Sequence, residues 1–450
     1  MRNNVKDMTH GSPSRLIVSF ALPLMLGNVF QQAYTMTDAA IVGQFAGVDA
    51  LAAIGSADWL CWLIFGMIGS FMQGFSILVA QRFGSGDLRA MRRAVSTLLV
   101  LSAAVIVGFT GIGFLTGAPL LRLMQTQEAV FDSAVSYLYV LYGGIVATTA
   151  YNLLSSLLRA LGNSRAPLIA MVIASVTNIG LDLLFVVVFH WGVVGAAAAT
   201  VIAQLFAAFI CLAALLKLDA LRFEKGEFTF HGGDAKVLLR LALPMVFQNV
   251  MICGGGMALQ TVINRQSFAF VAGFTASNKL YCVLEAAAVS FGYAITTYTG
   301  QNLGAKEYDR IRRGTKSALG ICFLTSVLVA GLMFLIGRPS LSLFIASSAD
   351  PSVMDVALRY LYTMSCTLPI LYFLYVYRSA LQGMGDTVMP MVSGLAECAM
   401  RVSVAWILTA IIGSDGIYYA EPSAWLGATV ILFFSYYYRE RRLEHKEVSA

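Results

Sequence analysis

Six ionisable side chains fall inside long apolar stretches: Asp38, Asp182, Lys279, Glu285, Glu397 and Arg401. A charge in such a setting is costly in a bilayer, so each is a functional candidate by default. Asp38 and Asp182 share a level with two neutral oxygen carriers. At 1.5 Å per residue, Asp38 lies roughly 9 Å from the outer end of the first apolar helix. Asp182 and Thr200 each lie roughly 12 Å from the outer ends of the fifth and sixth. Asn178 stands four residues before Asp182, on the same helix face. Two carboxylates, an amide oxygen and a hydroxyl form a hard-oxygen set that suits Na⁺ or another hard cation. The same carboxylates, desolvated and close together, can carry a proton instead. The bland alternative is a hydrogen-bonded packing network, disfavoured because two buried acids without a counter-charge are expensive.

Other residues gather around this group or repeat its logic. Gln31 and Tyr34 precede Asp38 by seven and four residues, so one helix face carries all three. Tyr139 reaches the same depth on the fourth helix. The many Met and aromatic residues suit a cavity for bulky, varied, partly aromatic substrates, because Met adapts its shape and rings attract cations. Glu397 and Arg401 are four apart, which favours an intrahelical ion pair with either a neutralising or a gating role. Lys279 and Glu285 are six apart and do not share a face. Pro23 and Pro244 sit inside helices, where each frees a carbonyl and kinks the chain. No Ser–His pair, HExxH or paired-aspartate protease context is present, so no catalytic residue is assigned and no enzyme or cofactor is expected.

The elements that position these residues follow from composition. The chain has 450 residues, of which 58% are hydrophobic and 12% charged, with mean hydropathy +0.75. Soluble domains carry about 25% charged residues, so a water-facing surface is excluded and a polytopic membrane protein is expected. Continuous apolar runs without period-two alternation exclude a β-barrel. The runs place twelve helices near 16–44, 52–80, 94–118, 131–158, 166–190, 192–216, 238–264, 271–300, 316–337, 354–382, 388–412 and 416–438. With twelve spans, 24 of the 30 Lys and Arg fall on one side, four on the other and two within spans. The positive-inside rule then puts both termini in the cytoplasm, and the basic excess reflects topology rather than nucleic-acid binding. The seven cysteines all lie in apolar segments and read as small buried hydrophobes.

The sequence is duplicated. Ala21-Leu22-Pro23 returns as Ala242-Leu243-Pro244, and Gln81-Arg82-Phe83-Gly84 as Gln301-Asn302-Leu303-Gly304. Leu158 to Pro167 (LRALGNSRAP) returns as Leu381 to Pro390 (LQGMGDTVMP). Three ordered matches at nearly one offset indicate two six-helix lobes. An even span count per lobe makes them parallel, related by a pseudo-twofold axis along the membrane normal, as in transporters that rock around a bound substrate. The expected organisation is a tail at 1–14, lobes at 15–217 and 238–438, a linker at 218–237 and a tail at 439–450.

Taken together, these motifs resemble multidrug and toxic compound extrusion (MATE) transporters, on the bacterial DinF-like side, over nearly the whole chain. The residues carrying the resemblance are Pro23 through Gly43 with Tyr34 and Asp38, Gln81 to Gly84, Leu158 to Asn163, Asn178 to Asp182, Gly192 to Thr200 and Gln301 to Ala305. The resemblance implies the all-α MATE fold in a bacterial inner membrane. It implies export of organic, often cationic or aromatic, compounds by antiport with Na⁺ or H⁺, by a monomer needing no cofactor beyond its coupling ion. It places Asp38, Asn178, Asp182 and Thr200 in the cation site of the N-terminal lobe. Gln31, Tyr34, Tyr139 and Asn152 fall in the substrate cavity, and Pro23 at a hinge of helix 1. The second lobe departs from branches that keep acids in helices 7 and 10, since Asp38 aligns with Leu259 and Asp182 with Ala405. A lipid flippase is the alternative, but its cleft would carry more basic residues than Lys279 and Arg401.

Overall fold

The computed structural model describes residues 6–224, 227–345 and 350–448, and every regular element in them is helical. Arg2 and Lys225, both in the charge count above, lie outside the described residues, as does the side chain of Lys446. The helices are α1 Pro13–Ile41, α2 Val48–Gly84, α3 Leu88–Leu123, α4 Glu128–Gly143, α5 Ile145–Ala160, α6 Arg165–Asp182 and α7 Gly192–Leu215. Then come α8 Gly232–Ile263, α9 Phe268–Gly304, α10 Tyr308–Leu341, α11 Pro351–Gly383, α12 Val388–Ile412 and α13 Ala420–Val448.

These make twelve spanning helices. Helices α4 and α5 form one span bent by 47° at Gly144, where any side chain would run into Val201 of α7. Nine stretches are long and apolar enough to cross a membrane. One of these, Val388–Leu443, is 56 residues long and holds both α12 and α13. The bent pair adds a span, and α11 is the last. It falls short on apolarity because it carries Asp355, Arg359, Arg378 and several tyrosines.

The repeated motifs are helix corners. Helix α2 ends at Gly84 and α9 at Gly304, and the left-handed residue that turns each corner is Gly86 (φ 74°) or its counterpart Lys306 (φ 62°). The second motif turns on Gly162 (φ 81°) and Gly385 (φ 78°), the residues a left-handed helix end favours. The next residue then serves the following helix. Asn163 accepts a hydrogen bond from the Ala166 N–H at 3.1 Å, and Asp386 one from the Met389 N–H at 3.3 Å.

The chain divides into two compact units. The first holds Leu22–Val246 with the residues up to Asp7, and the second holds Met8–Ala21 with the chain from Phe247 onward. Helices α1 and α8 therefore change unit within two residues of Pro23 and Pro244. Each copy of the Gln-x-x-Gly motif grips the chain leading into such a helix. In the first unit Arg82 pairs with Asp234 at 3.1 Å, at the start of α8. In the second, Met8 is fully buried, its N–H donating to Gln301 Oε1 at 2.9 Å and its carbonyl accepting from Asn302 at 3.1 Å. The linker before α8 is also tied down: Arg92 pairs with Glu227 at 2.6 Å, and the His231 N–H donates to Thr97 at 3.1 Å. Within the second unit, α9 and α11 meet closely because Gly292 and Gly383 leave no side chain in the way. A Cβ there would lie 2.9 Å from Ser379 Oγ and 2.7 Å from the Thr296 carbonyl, respectively.

Candidate functional site

The first unit gathers its polar membrane residues from α1, α6 and α7. Asp182 is fully buried and Asn178 is 1% exposed, although among the described residues no basic group acts on Asp182. The carboxyl groups of Asp38 and Asp182 meet within hydrogen-bonding reach. One turn along α6, the Asn178 amide donates to Thr200 Oγ1 at 3.5 Å. The four residues read from the sequence as one cluster are thus brought together.

Both acidic helices change pitch just past their carboxylate. Helix α1 widens into a π-helical turn over Val42–Ala46, and α6 does so over Leu183–Val188, immediately after Asp182. The two wide turns touch each other. Such turns interrupt the regular ladder and recur at functional sites. The sequence carries no mark of them, because runs such as Leu183-Leu184-Phe185-Val186-Val187-Val188 are equally compatible with an unbroken helix.

The electrostatics are lopsided. Asp38 Oδ1, Asn178 Oδ1, both carboxylate oxygens of Asp182 and Gln204 Oε1 are buried and receive no hydrogen bond from the protein. Buried acceptors are normally satisfied, and leaving one bare costs about 1–3 kcal/mol. Five in one place ask for something positive. A small cavity of about 10 Å³ adjoins the two amide residues, lined by Tyr34, Met171, Ala174, Asn178, Thr200, Ala203 and Gln204. It has room for one water-sized species.

The expected cavity residues separate. Tyr34 lines the cavity, and its hydroxyl interacts with Gln31, Thr35, Asp38 and Gln204. Tyr139 instead packs on Phe114 of α3, with ring centroids 5.1 Å apart and its hydroxyl 3.5 Å from the Phe114 carbonyl. The tyrosine of α4 within electrostatic reach of Asp38, Asp58 and Tyr34 is Tyr137, which is 8% exposed. Depth alone could not separate these two, since they differ by two residues and hence by more than half a helical turn in direction. Asn152 bonds the Thr148 carbonyl of its own helix at 2.9 Å and faces Gly69 of α2. Gln204, missed in the sequence, is one turn past Thr200, a spacing that could have flagged it.

A family model described as MatE matches residues 23–184 and again 244–407, one match to each half. The chain belongs to the MatE family. Over 433 residues it is 27% identical to "Probable multidrug resistance protein YpnP" of Bacillus subtilis, covering 96% of each chain. It is 24% identical over 357 residues to "DNA damage-inducible protein F" of Escherichia coli, covering 78% of this chain and 76% of that one. Its fold is that of a MOP superfamily transporter from Pyrococcus furiosus, with a TM-score of 0.91, 23% identity and 99% of both chains covered.

In this MatE-family chain the second unit handles its buried acids differently. The expected Glu397–Arg401 pair forms at 3.1 Å, but it belongs to a longer series. Arg378 pairs with the other oxygen of Glu397 at 2.7 Å, and Arg401 also pairs with Glu421 at 2.8 Å and donates to the Ile252 carbonyl at 3.1 Å. Arg378 is therefore not one of the 24 loop and tail cations counted from the sequence. It is 7% exposed and turned into the protein. Glu285 accepts from the Tyr375 hydroxyl at 2.9 Å, whereas Lys279, four helical residues past Thr275, is exposed.

Proposed function

We propose that this protein is a secondary active exporter of organic, often cationic or aromatic, compounds. In this reading export is driven by Na⁺ or H⁺ taken up at Asp38 and Asp182, with Asn178 and Thr200 completing the site. The observation that carries the reading is the set of buried oxygens in the first unit with no protein donor. Two carboxylates in mutual contact cannot both stay bare and ionised, so the pair needs a proton or a cation, and either can serve as the exchanging ion. An exchanging ion at a buried site is what a coupled transporter requires, whereas a static scaffold would fill the positions with a donor. The name of the Bacillus subtilis relative agrees with drug export. The positive-inside distribution supports an inner-membrane protein with both ends in the cytoplasm.

Alternating access would need a bend that relieves and restores this site. Pro23 is placed for it, being inside α1 and next to the point where that helix changes unit. A phosphate-bearing lipid is the poorer substrate class, because Arg378 and Arg401 are already committed to Glu397 and Glu421. The test is transport in reconstituted vesicles with Na⁺ and H⁺ gradients imposed separately. Export of a fluorescent organic cation is expected to follow one gradient in the wild type and to lose that dependence in Asp38→Asn. Gradient-driven export unchanged in Asp38→Asn would overturn the proposal.

A further inference from the structure

The first-unit cavity contains an oxygen that the coupling set does not use. Gln204 stands one turn beyond Thr200 on α7, so both point to the same side of that helix. Its amide interacts with the Tyr34 hydroxyl, while its Oε1 is buried and receives no hydrogen bond. Gln204, Thr200, Asn178 and Tyr34 together line the same small cavity of about 10 Å³. Asn178, 1% exposed, presents a second unpartnered carbonyl oxygen at this cavity.

The chemistry of this set separates two kinds of occupant. A proton on one carboxyl group creates one O–H donor and can satisfy a single acceptor. It does nothing for amide oxygens a turn away. A hard metal cation gathers several oxygens at once, neutral carbonyls as well as carboxylates. Neutral ligands matter here because Asp38 and Asp182 already supply two negative charges. Further oxygens without charge complete a shell around a monovalent ion without adding repulsion.

We infer that Gln204 is a further ligand of the coupling site, its Oε1 joining Asn178 Oδ1 and Thr200 Oγ1 as the neutral side of a shell that selects Na⁺. This rests on the cation-coupling reading above and adds to it both a residue and an ion. Tyr34, hydrogen-bonded with the Gln204 amide and within electrostatic reach of Asp38, lies between the new ligand and the acidic one. Gln204 is then a binding residue with no part in the covalent structure of the lobe, and its replacement should weaken the ion without removing coupling.

The experiment is thermal unfolding of the purified full-length protein in detergent, titrated with NaCl against choline chloride at constant ionic strength, with KCl as a second control. An ion that binds only the folded state raises its stability by mass action. The wild type is expected to gain stability saturably with NaCl and not with KCl. Gln204→Met, apolar and of similar length, is expected to raise the half-saturating NaCl by about tenfold, the loss of one buried ligand interaction. Gln204→Glu keeps an oxygen in place and is expected to hold the midpoint near or below that of the wild type. A Gln204→Met titration superimposable on the wild type would overturn the inference while leaving the coupling reading intact, provided Asp38→Asn abolishes the NaCl response. No NaCl-specific response in the wild type would also overturn it, and H⁺ coupling at the two acids would still stand. If Asp38→Asn and Asp182→Asn left a wild-type response unchanged, the underlying reading would fall instead.

Discussion

The two repeats bury carboxylates at different places in their sequence and treat them in opposite ways. In the second unit every buried acid is answered: Glu397 by two arginines, Glu421 by Arg401, and Glu285 by Tyr375. In the first, Asp38 and Asp182 face each other with three of their four carboxyl oxygens lacking a protein donor, beside two amide oxygens in the same condition. A satisfied network holds its partners in one arrangement and resists change. An unsatisfied one stays poised for an ion that the protein does not own. On the proposed function, the duplication leaves one half free to specialise as a rigid frame while the other carries the exchanging site, a cost in stability that activity commonly demands.

The largest way to break this contrast is to remove Arg401. Arg401→Met leaves Glu397 half-answered and Glu421 with no basic partner, and should destabilise the protein by about 3–5 kcal/mol, as breaking a buried pair does. Thermal unfolding in detergent checks it, and a loss well below 1 kcal/mol would mean that the network is solvated. Tyr375→Phe is a smaller disturbance of the same unit. It strips Glu285 of one hydrogen bond and should cost about 1–3 kcal/mol by the same assay, with the ion dependence of transport unchanged. The smallest effect concerns the linker. Hydrogen bonds from Arg92 and from the Glu224 backbone hold the Glu227 carboxyl below its usual range. Its contribution to docking the linker is therefore full above the usual glutamate range and fades as pH falls through the lowered value. At neutral pH, Glu227→Gln should speed amide hydrogen exchange in the linker, and the wild type should show such opening only on acidification.

Much of this contrast could be read from the sequence, and the part that could not has definite causes. Continuous apolar runs located the helices, and the three recurring motifs located the duplication. Their physical content is a left-handed corner residue followed by a helix cap. Asp38, Asn178, Asp182 and Thr200 were legible because helical rise converts position into depth. Direction around each helix was not legible where no second residue fixed it, which is why Tyr137 and not Tyr139 lies within electrostatic reach of the acids. Arg378 looked like part of the basic loop signal because it stands near the end of its helix, while its partner lies on a different helix. Gln204 carried no charge and so raised no alarm, although its spacing from Thr200 matches that of Asn178 from Asp182.

One comparison tests the central claim most directly. Asp182→Asn and Glu397→Gln each remove one buried carboxyl group, one from each unit. Their thermal unfolding, measured side by side in choline chloride without Na⁺, should shift in opposite directions. The account predicts that Asp182→Asn gains stability, because it relieves two facing acids, and that Glu397→Gln loses it, because Arg378 loses its carboxylate partner and Arg401 one of two. A loss of similar size in both variants would contradict the account and show the first unit's acids to be as structural as those of the second.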